Sequence, residues 1–153
     1  MKLISIFIFI MLLPLAACNR ATNTDSTDIG AIRTLLHQTY DQPGKVLTLE
    51  PIVAQGPDAI VDWTQGSMGG RALLQKHKGQ WAIVLCAGDA LKDAAFLQQA
   101  GVSDDSASSL TAALLKAESK LSPEKLALFA RFGAPVRMLS QHSGDVNHST
   151  HKE

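Results

Sequence analysis

The chain is 153 residues long, and its formal net charge at pH 7 is zero. Nucleic-acid binding requires a strongly basic face, so this neutral balance argues against a nucleic-acid partner. The length is that of one domain with a sizeable core. Aromatic residues make up only 5 % of the chain, and the many Ala and Leu residues favour helix.

An apolar segment near the start of the chain is typical of an export signal. Lys2 supplies a positive charge, and the apolar run Ile4–Leu15 is shorter than the roughly 20 residues that span a bilayer. The run continues into Leu-Ala-Ala-Cys, ending at Cys18, which resembles the lipobox of bacterial lipoproteins. This resemblance implies that residues 1–17 are a signal peptide and that lipidated Cys18 anchors the mature protein in a membrane.

The residue after the lipobox bears on location. Asn19 follows Cys18, whereas an Asp at that place marks retention at the inner membrane in bacterial lipoproteins. The resemblance therefore implies an outer-membrane lipoprotein that faces the periplasm. An ordinary signal peptide with a chance cysteine is the alternative. If Cys18 is lipidated, Cys86 is the single thiol left, so no intramolecular disulfide can form.

The first part of the mature chain predicts a tether, a helix and a strand. Residues 18–28 are polar and predict a flexible tether. Asp28 is a candidate N-cap for a helix whose apolar residues recur at helical spacing as far as Tyr40. The β-forming segment 46–53 predicts a strand, in which Pro51 indicates an edge position.

Three further strands predict an antiparallel meander; they are 59–64, 71–76 and 81–86. Alternation in the first of them places Val61 and Trp63 on one face, and Ile60 and Asp62 on the other. The Gly-rich segment 65–70 is predicted to be a loop. The last strand is almost entirely apolar, which is typical of a central strand buried on both faces.

The second half of the chain is predicted to be helical. Asp89 is a candidate cap for a helix that ends at Gln99, and Ser103 for one over 104–120. Ser122 followed by proline is a strong helix start. Segment 135–139 is predicted to add an edge strand.

These elements predict a single α+β domain over residues 29–139. Its antiparallel sheet has three to four strands, with an N-terminal helix and three C-terminal helices. The simplest arrangement places the helices on one face of the sheet. Residues 140–153 contain three histidines and one apolar residue, and we expect a disordered tail.

Several residues are candidate metal ligands. His142, His148 and His151 lie in the tail, and neutral imidazoles bind Cu(II), although a merely solvated tail is the alternative. Met138 lies four residues before His142, and Met68 lies in the Gly-rich segment. Their thioethers suit Cu(I), although isolated methionines are more often packing or exposed loop residues.

Cys86 and Asp62 each have two interpretations. A thiol just before a helix start can be held as a thiolate that binds soft metals, whereas a buried cysteine in a strand behaves as a small hydrophobe. Asp62 is either an exposed face residue or part of a polar site. The chain contains no nucleophile triad, P-loop or dinucleotide fingerprint, so we do not expect an enzyme.

Three blocks of sequence are distinctive: VDWTQGSMGGRALL at 61–74, WAIVLCAGDAL at 81–91 and FARF at 129–132. Together they resemble a family of exported bacterial proteins described as copper uptake system-associated, and the similarity covers residues 30–139. The resemblance implies copper handling in the periplasm, with copper-transport proteins as partners. Met68 and Cys86 fall inside the shared blocks, as do two further candidates, Asp62 and Trp63.

The sequence therefore supports two hypotheses. In the first, a membrane-anchored periplasmic lipoprotein assists copper uptake or homeostasis, by binding copper ion or by docking to a copper-transport partner. In the second, the chain is a metal-free interaction module of the cell envelope.

Overall fold

The strands form one antiparallel sheet in the order β1-β2-β3-β4-β5, so every strand lies beside its neighbour in sequence. The computed structural model describes residues 26–138. The helices and strands follow in chain order: α1 (Ser26–Tyr40), β1 (Thr48–Gln55), β2 (Asp58–Gln65), β3 (Met68–His77), β4 (Gln80–Ala87), a 3-10 helix (Asp89–Lys92), α2 (Ala94–Gln99), α3 (Asp104–Glu118), α4 (Pro123–Ala130) and β5 (Val136–Arg137). The predicted α+β class is confirmed, with five strands rather than three to four.

The sheet is most regular between β2 and β3. These strands pair without interruption from Asp58 opposite Gln75 to Gln65 opposite Met68. β1 is an edge strand, and its register shifts between Leu49 and Ile52, around Pro51. Proline has no backbone N–H to donate, so the predicted edge position of this residue is confirmed.

Helices cover both faces of the sheet, so the expectation of helices on one face is wrong. On one face, α1 buries Ile32 and Leu36 against Val61, Ala72 and Cys86. The other face packs against the later helices through a second cluster: Ile60, Leu73, Leu85, Leu91, Leu97, Leu110 and Leu114. β2 and β3 present apolar side chains on both faces of the sheet. Each face must therefore be covered by helices.

The Gly-rich segment is not a loop over its whole length. Only Gly66 and Ser67 form the turn, and Met68 already begins β3. The glycines that follow leave room for α4: a Cβ on Gly69 would lie 2.9 Å from the Leu128 carbonyl oxygen. The segment is therefore rich in glycine because the backbone of α4 approaches the strand there.

Two predicted caps are wrong. α1 begins at Ser26, inside the predicted tether, and Asp28 lies in its first turn, where the carboxylate accepts hydrogen bonds from Lys76 and Trp81. Asp89 caps no helix and begins only a 3-10 turn. The α-helix that follows is capped by Asp93, so the predicted helix from Asp89 to Gln99 is divided in two.

Other local predictions hold. Ser103 accepts a hydrogen bond from the Ser106 N–H and caps α3, and Ser122 caps α4 through the Lys125 N–H. β5 forms the predicted edge strand. β4, which was expected to be central and buried on both faces, has only this two-residue strand outside it, and its first half is partly exposed.

Parts of the predicted organisation lie outside the described residues. These are the signal segment 1–17, Cys18 with the first part of the tether, and the tail 140–153 with its three histidines. Within residues 26–138, no helix has both the length and the apolarity needed to cross a bilayer.

Candidate functional site

The three distinctive blocks of sequence meet where α4 ends. The ring of Phe132 lies edge-on to Trp63, with centroids 5.7 Å apart and planes at 82°. The ring of Phe129 lies under the guanidinium of Arg71, 5.6 Å from its centre. Trp63 and Arg71 point to opposite faces of the sheet, so the end of α4 contacts a different structure on each face.

On the α1 face lies a small apolar cavity of about 120 Å³. Its lining is Leu36, Tyr40, Leu47, Trp63, Gln65, Ala72, Cys86, Phe132 and Met138. The Gln65 amide is fixed, because its Nε2 donates to the carbonyl oxygens of Tyr40 and Lys45 at 3.1 and 2.8 Å. Burial, and secondarily the nearby Cys86, raises the pKa of the Tyr40 hydroxyl. Sulfur and aromatic groups therefore dominate the chemistry of this cavity.

Cys86 is buried in β4, where it pairs with Ala72 of β3 and Val136 of β5. Burial raises the pKa of its thiol to about 11. The side chain is therefore a neutral thiol at pH 7 and not the helix-stabilised thiolate that one interpretation predicted. It has the burial expected of a small hydrophobic residue, and it also lines the cavity.

Met138 lies at the same cavity as Cys86. It directly follows β5, and its N–H donates to the carbonyl of Val84 at 2.9 Å, which fixes this end of the strand. The same cavity is therefore lined by a thiol and a thioether that are far apart in sequence. Trp63, another predicted candidate, contributes to the same wall.

Met68 is not part of this group. It pairs with Gln65 and so lies on the cavity face of the sheet, but its side chain is 63 % exposed. Ala72, the neighbour of Cys86, lies four residue steps further along β3, which corresponds to about 14 Å. Met68 therefore lies at the rim of the cavity, beside the lining residue Gln65 but not itself in the lining. It is beyond the reach of an ion held by Cys86.

Asp62 lies on the opposite face, in a buried cluster of charges around Arg71. Both side chains are fully buried, so the interpretation of Asp62 as an exposed residue is wrong. Arg71 Nε donates to Glu118 at 2.7 Å and Nη1 to Asp89 at 3.0 Å. Asp62 Oδ1 lies 3.6 Å from Arg71 Nε, too far for a hydrogen bond.

The environment of Asp62 favours its protonated form. Burial first, and then the neighbouring Glu118 carboxylate, raises the pKa of Asp62 to about 8, against the opposing effect of Arg71. Within the described part of the chain, neither oxygen of Asp62 has a hydrogen-bond partner, and neither does Arg71 Nη2. A neutral Asp62 leaves Arg71 to balance the charge of Glu118.

Sequence reasoning identified Asp62 but not the rest of this cluster. A signal was present, because Asp62 and Arg71 pair directly across the turn between β2 and β3 and must share a face. Glu118 had no comparable signal, since it comes from the end of α3 and meets Arg71 only through tertiary packing. The role of Phe129 was missed for the same reason.

The donor sets on the two faces differ in what they can hold. Within residues 26–138, no group of three His, Cys, Asp or Glu side chains is placed to bind a metal ion. The guanidinium of Arg71 already occupies the centre of the acidic cluster and would repel a second cation. The thiol of Cys86 and the thioether of Met138 are soft donors, which suit Cu(I) better than Cu(II).

Comparisons of the chain with protein-family models, with curated proteins and with solved structures gave no match. The similarity to the copper uptake system-associated family stays a prediction. Function is therefore argued below from the chemistry of the two faces.

Proposed function

We propose that this protein is a membrane-anchored envelope lipoprotein that assists copper uptake or homeostasis, and that its α1-side cavity holds Cu(I) between Cys86 and Met138. One observation carries the proposal: two soft sulfur side chains, remote in sequence, line the same small apolar cavity. Thiolate and thioether ligands select Cu(I) over harder cations. The lipobox at Cys18 and the family resemblance support the envelope location and the copper context.

The surroundings of the two sulfurs fit a carrier for a reactive ion. Tyr40, Trp63 and Phe132 line the cavity with aromatic rings, which limit access of water to the ion. Cys86 keeps its proton until a metal displaces it, because burial raises its pKa to about 11. Copper binding would therefore release a proton, and affinity should increase with pH.

An entry route is provided by the short edge strand. β5 pairs with β4 through only two residues, Arg137 opposite Leu85 and Val136 opposite Cys86. Short edge strands open locally at low free-energy cost. Opening of β5 would move Met138 away from Cys86 and expose the thiol, so loading and release need no unfolding of the core.

The tail histidines fit an auxiliary role. His142 lies four residues after Met138, so even a fully extended chain keeps it within about 14 Å of that residue. Imidazoles bind Cu(II), and His148 and His151 add further donors in the same tail. The tail would collect Cu(II) close to the cavity. A small-molecule thiol outside the protein, oxidised to its disulfide, would supply one electron per ion, and the resulting Cu(I) would pass to the two sulfurs.

The metal-free interaction module remains the second candidate, and one observation favours it. Val46 and Met68 are each 63 % exposed. Both lie next to Gln65, since Met68 pairs with it and the carbonyl of Lys45, before Val46, accepts a hydrogen bond from its amide. Exposed apolar side chains beside a cavity are typical of surfaces that bind a partner protein.

A competition titration with a chromophoric Cu(I) chelator tests the proposal. We expect residues 19–153 and a shorter chain ending at Met138 to bind one Cu(I) with similar affinity. Cys86→Ala should weaken binding at least about 100-fold, because losing a direct ligand should cost more than the roughly 10–100-fold loss seen when a residue that only orients a ligand is removed. Met68→Leu, a matched control at the rim, should leave the affinity unchanged.

Two outcomes would overturn the cavity site. Binding that disappears with the tail but survives Cys86→Ala would place the copper in the histidine segment. No binding by either chain would favour the interaction module, which predicts capture of an envelope partner by metal-free protein in the presence of a chelator.

A further inference from the structure

The end of α4 makes unusually close contact with the sheet. A Cβ on Gly88 would lie 2.8 Å from the Ala130 carbonyl oxygen, and one on Gly70 would lie 2.8 Å from the Phe132 ring. Gly69 makes the corresponding approach to Leu128. No side chain of these glycines separates the helix end from the strands. A movement of the helix end on one face is therefore transmitted to the other face rather than absorbed by flexible side chains.

The same segment contacts both functional faces. Phe129 packs on Arg71 in the charged cluster, and Phe132, three residues later, packs on Trp63 in the cavity wall. The cavity and the cluster are thus separated by the sheet but joined around its end by one short piece of backbone. A movement of Arg71 can therefore displace Phe129, and through the backbone of this segment also Phe132 in the cavity wall.

The charges that face Asp62 define what its ionisation would disturb. β3 supplies Arg71, α3 supplies Glu118, and the 3-10 helix supplies Asp89 and Lys92, which pair at 3.1 Å. α4 presents only the ring of Phe129, which lies on Arg71. On the outer surface, Lys125 of α4 pairs with Glu50 of β1 and is not part of the cluster.

We propose that the protonation state of Asp62 controls the packing of Phe132 against Trp63, and so the shape of the cavity on the opposite face. With Asp62 neutral, Arg71 is drawn to Glu118 and Asp89, and the Phe129 ring rests on it. A second buried carboxylate would draw the guanidinium toward Asp62, from which it now stands 3.6 Å away. The Phe129 ring would then lose its contact with the guanidinium, and the segment that carries Phe132 would move with Phe129.

The pKa of Asp62, about 8, places this transition just above neutrality. The coupling is reciprocal, so a ligand that changes the Phe132 packing must also change the proton affinity of Asp62. The inference goes beyond the copper proposal, because the motion belongs to the metal-free protein. A failure of copper binding would leave it intact.

Fluorine NMR of the mature chain, residues 18–153, labelled with 5-fluorotryptophan tests this coupling. The chain has two tryptophans, and Trp81→Phe assigns their signals. We expect the Trp63 signal to shift between pH 6.5 and 9.5 with a midpoint near the pKa of Asp62, about 8. Trp81, which donates to Asp28 at the opposite end of α1 from the cavity, should not follow that transition.

Two variants decide the origin of the shift. Asp62→Asn should abolish the transition, because the amide cannot ionise. Glu118→Gln removes the neighbouring negative charge and should lower the midpoint by about 1 pH unit. This second readout does not depend on a loss of structure. A flat wild-type titration, a transition that survives Asp62→Asn, or a midpoint indifferent to Glu118→Gln would each overturn the proposal.

Discussion

The two faces of the β2–β3 pair use adjacent residues for opposite purposes. Asp62 lies in a buried cluster with the ion pair of Arg71 and Glu118 on one face, whereas its neighbour Trp63 lines an apolar cavity on the other, together with Ala72. On the charged face, the guanidinium of Arg71 occupies the centre of the acidic cluster. The apolar face leaves space next to two sulfur atoms. Space that a ligand could enter therefore lies on the apolar face.

Removal of the central cation should produce the largest effect. Arg71→Met keeps most of the volume but leaves Glu118 buried without its hydrogen-bonded partner. We expect the free energy of unfolding to fall by about 3–5 kcal/mol, as when one member of a buried ion pair is deleted. Urea unfolding followed by circular dichroism measures this. Arg131→Met, at an exposed position, is the control and should change it by less than about 0.5 kcal/mol.

The charged face should also make the protein less stable at alkaline pH. The folded state holds a proton on Asp62 up to about pH 8, whereas the unfolded state releases it near the ordinary value of 3.8. The folded state thus binds more protons in this window, and stability decreases as pH rises. Between pH 5 and pH 8 we expect a loss of roughly 3–4 kcal/mol.

The control for this pH dependence is Asp62→Asn, whose stability should vary much less over the same range. Salt-bridged carboxyls such as Asp28 and Glu50 have lowered pKa values, through Lys76 and Lys125 respectively. Their stabilisation is lost only in acid, so they do not contribute to the change above pH 5, and the difference between wild type and variant reports on Asp62. An equal slope in wild type and variant would refute a protonated Asp62.

A smaller loss of stability is expected where the end of α4 contacts the sheet. Gly70→Ala places a methyl group within 2.9 Å of Phe132 and Trp63 atoms, and we expect a loss of about 1–3 kcal/mol from overpacking. Gly30→Ala in α1 is the matched control, because a Cβ there meets nothing within 4 Å. It should stabilise the protein by roughly 0.5–1 kcal/mol. Equal behaviour of the two variants in thermal unfolding would contradict the close contact.

The smallest change in stability is expected on the cavity side. Met138→Leu conserves shape and should cost less than about 1.5 kcal/mol. The same substitution should weaken Cu(I) binding by about tenfold or more, because it removes one sulfur ligand. A large loss of stability with unchanged copper affinity would assign Met138 to packing alone.

Features that depend on residues close together in the sequence were predicted, whereas features that depend on distant residues were not. Caps at Ser103 and Ser122, the edge role of Pro51 and the alternation along β2 depend on neighbouring residues, and they were predicted. The capping of the 89–99 segment failed because the Asp89 carboxylate instead pairs with Arg71, which lies across the sheet.

The site was only partly predictable for the same physical reason. Cys86, Met138 and Trp63 were each identified by their chemistry, but their meeting at one cavity depends on β5 folding back against β4. The Gly-rich segment was interpreted as a loop because its partner, the backbone of α4, is more than fifty residues later in the chain.

The most direct test of the proposed copper site compares Met138 with Met68 in one sample. Residues 19–153 contain two methionines, Met68 at the rim and Met138 in the cavity lining, so ¹³C-methyl methionine NMR of this chain gives one signal for each, and Met68→Leu assigns them. We expect one equivalent of Cu(I) under anaerobic conditions to shift the Met138 methyl signal and to leave the Met68 signal in place. A shift of Met68 alone, or of neither signal, would contradict a Cu(I) site between Cys86 and Met138.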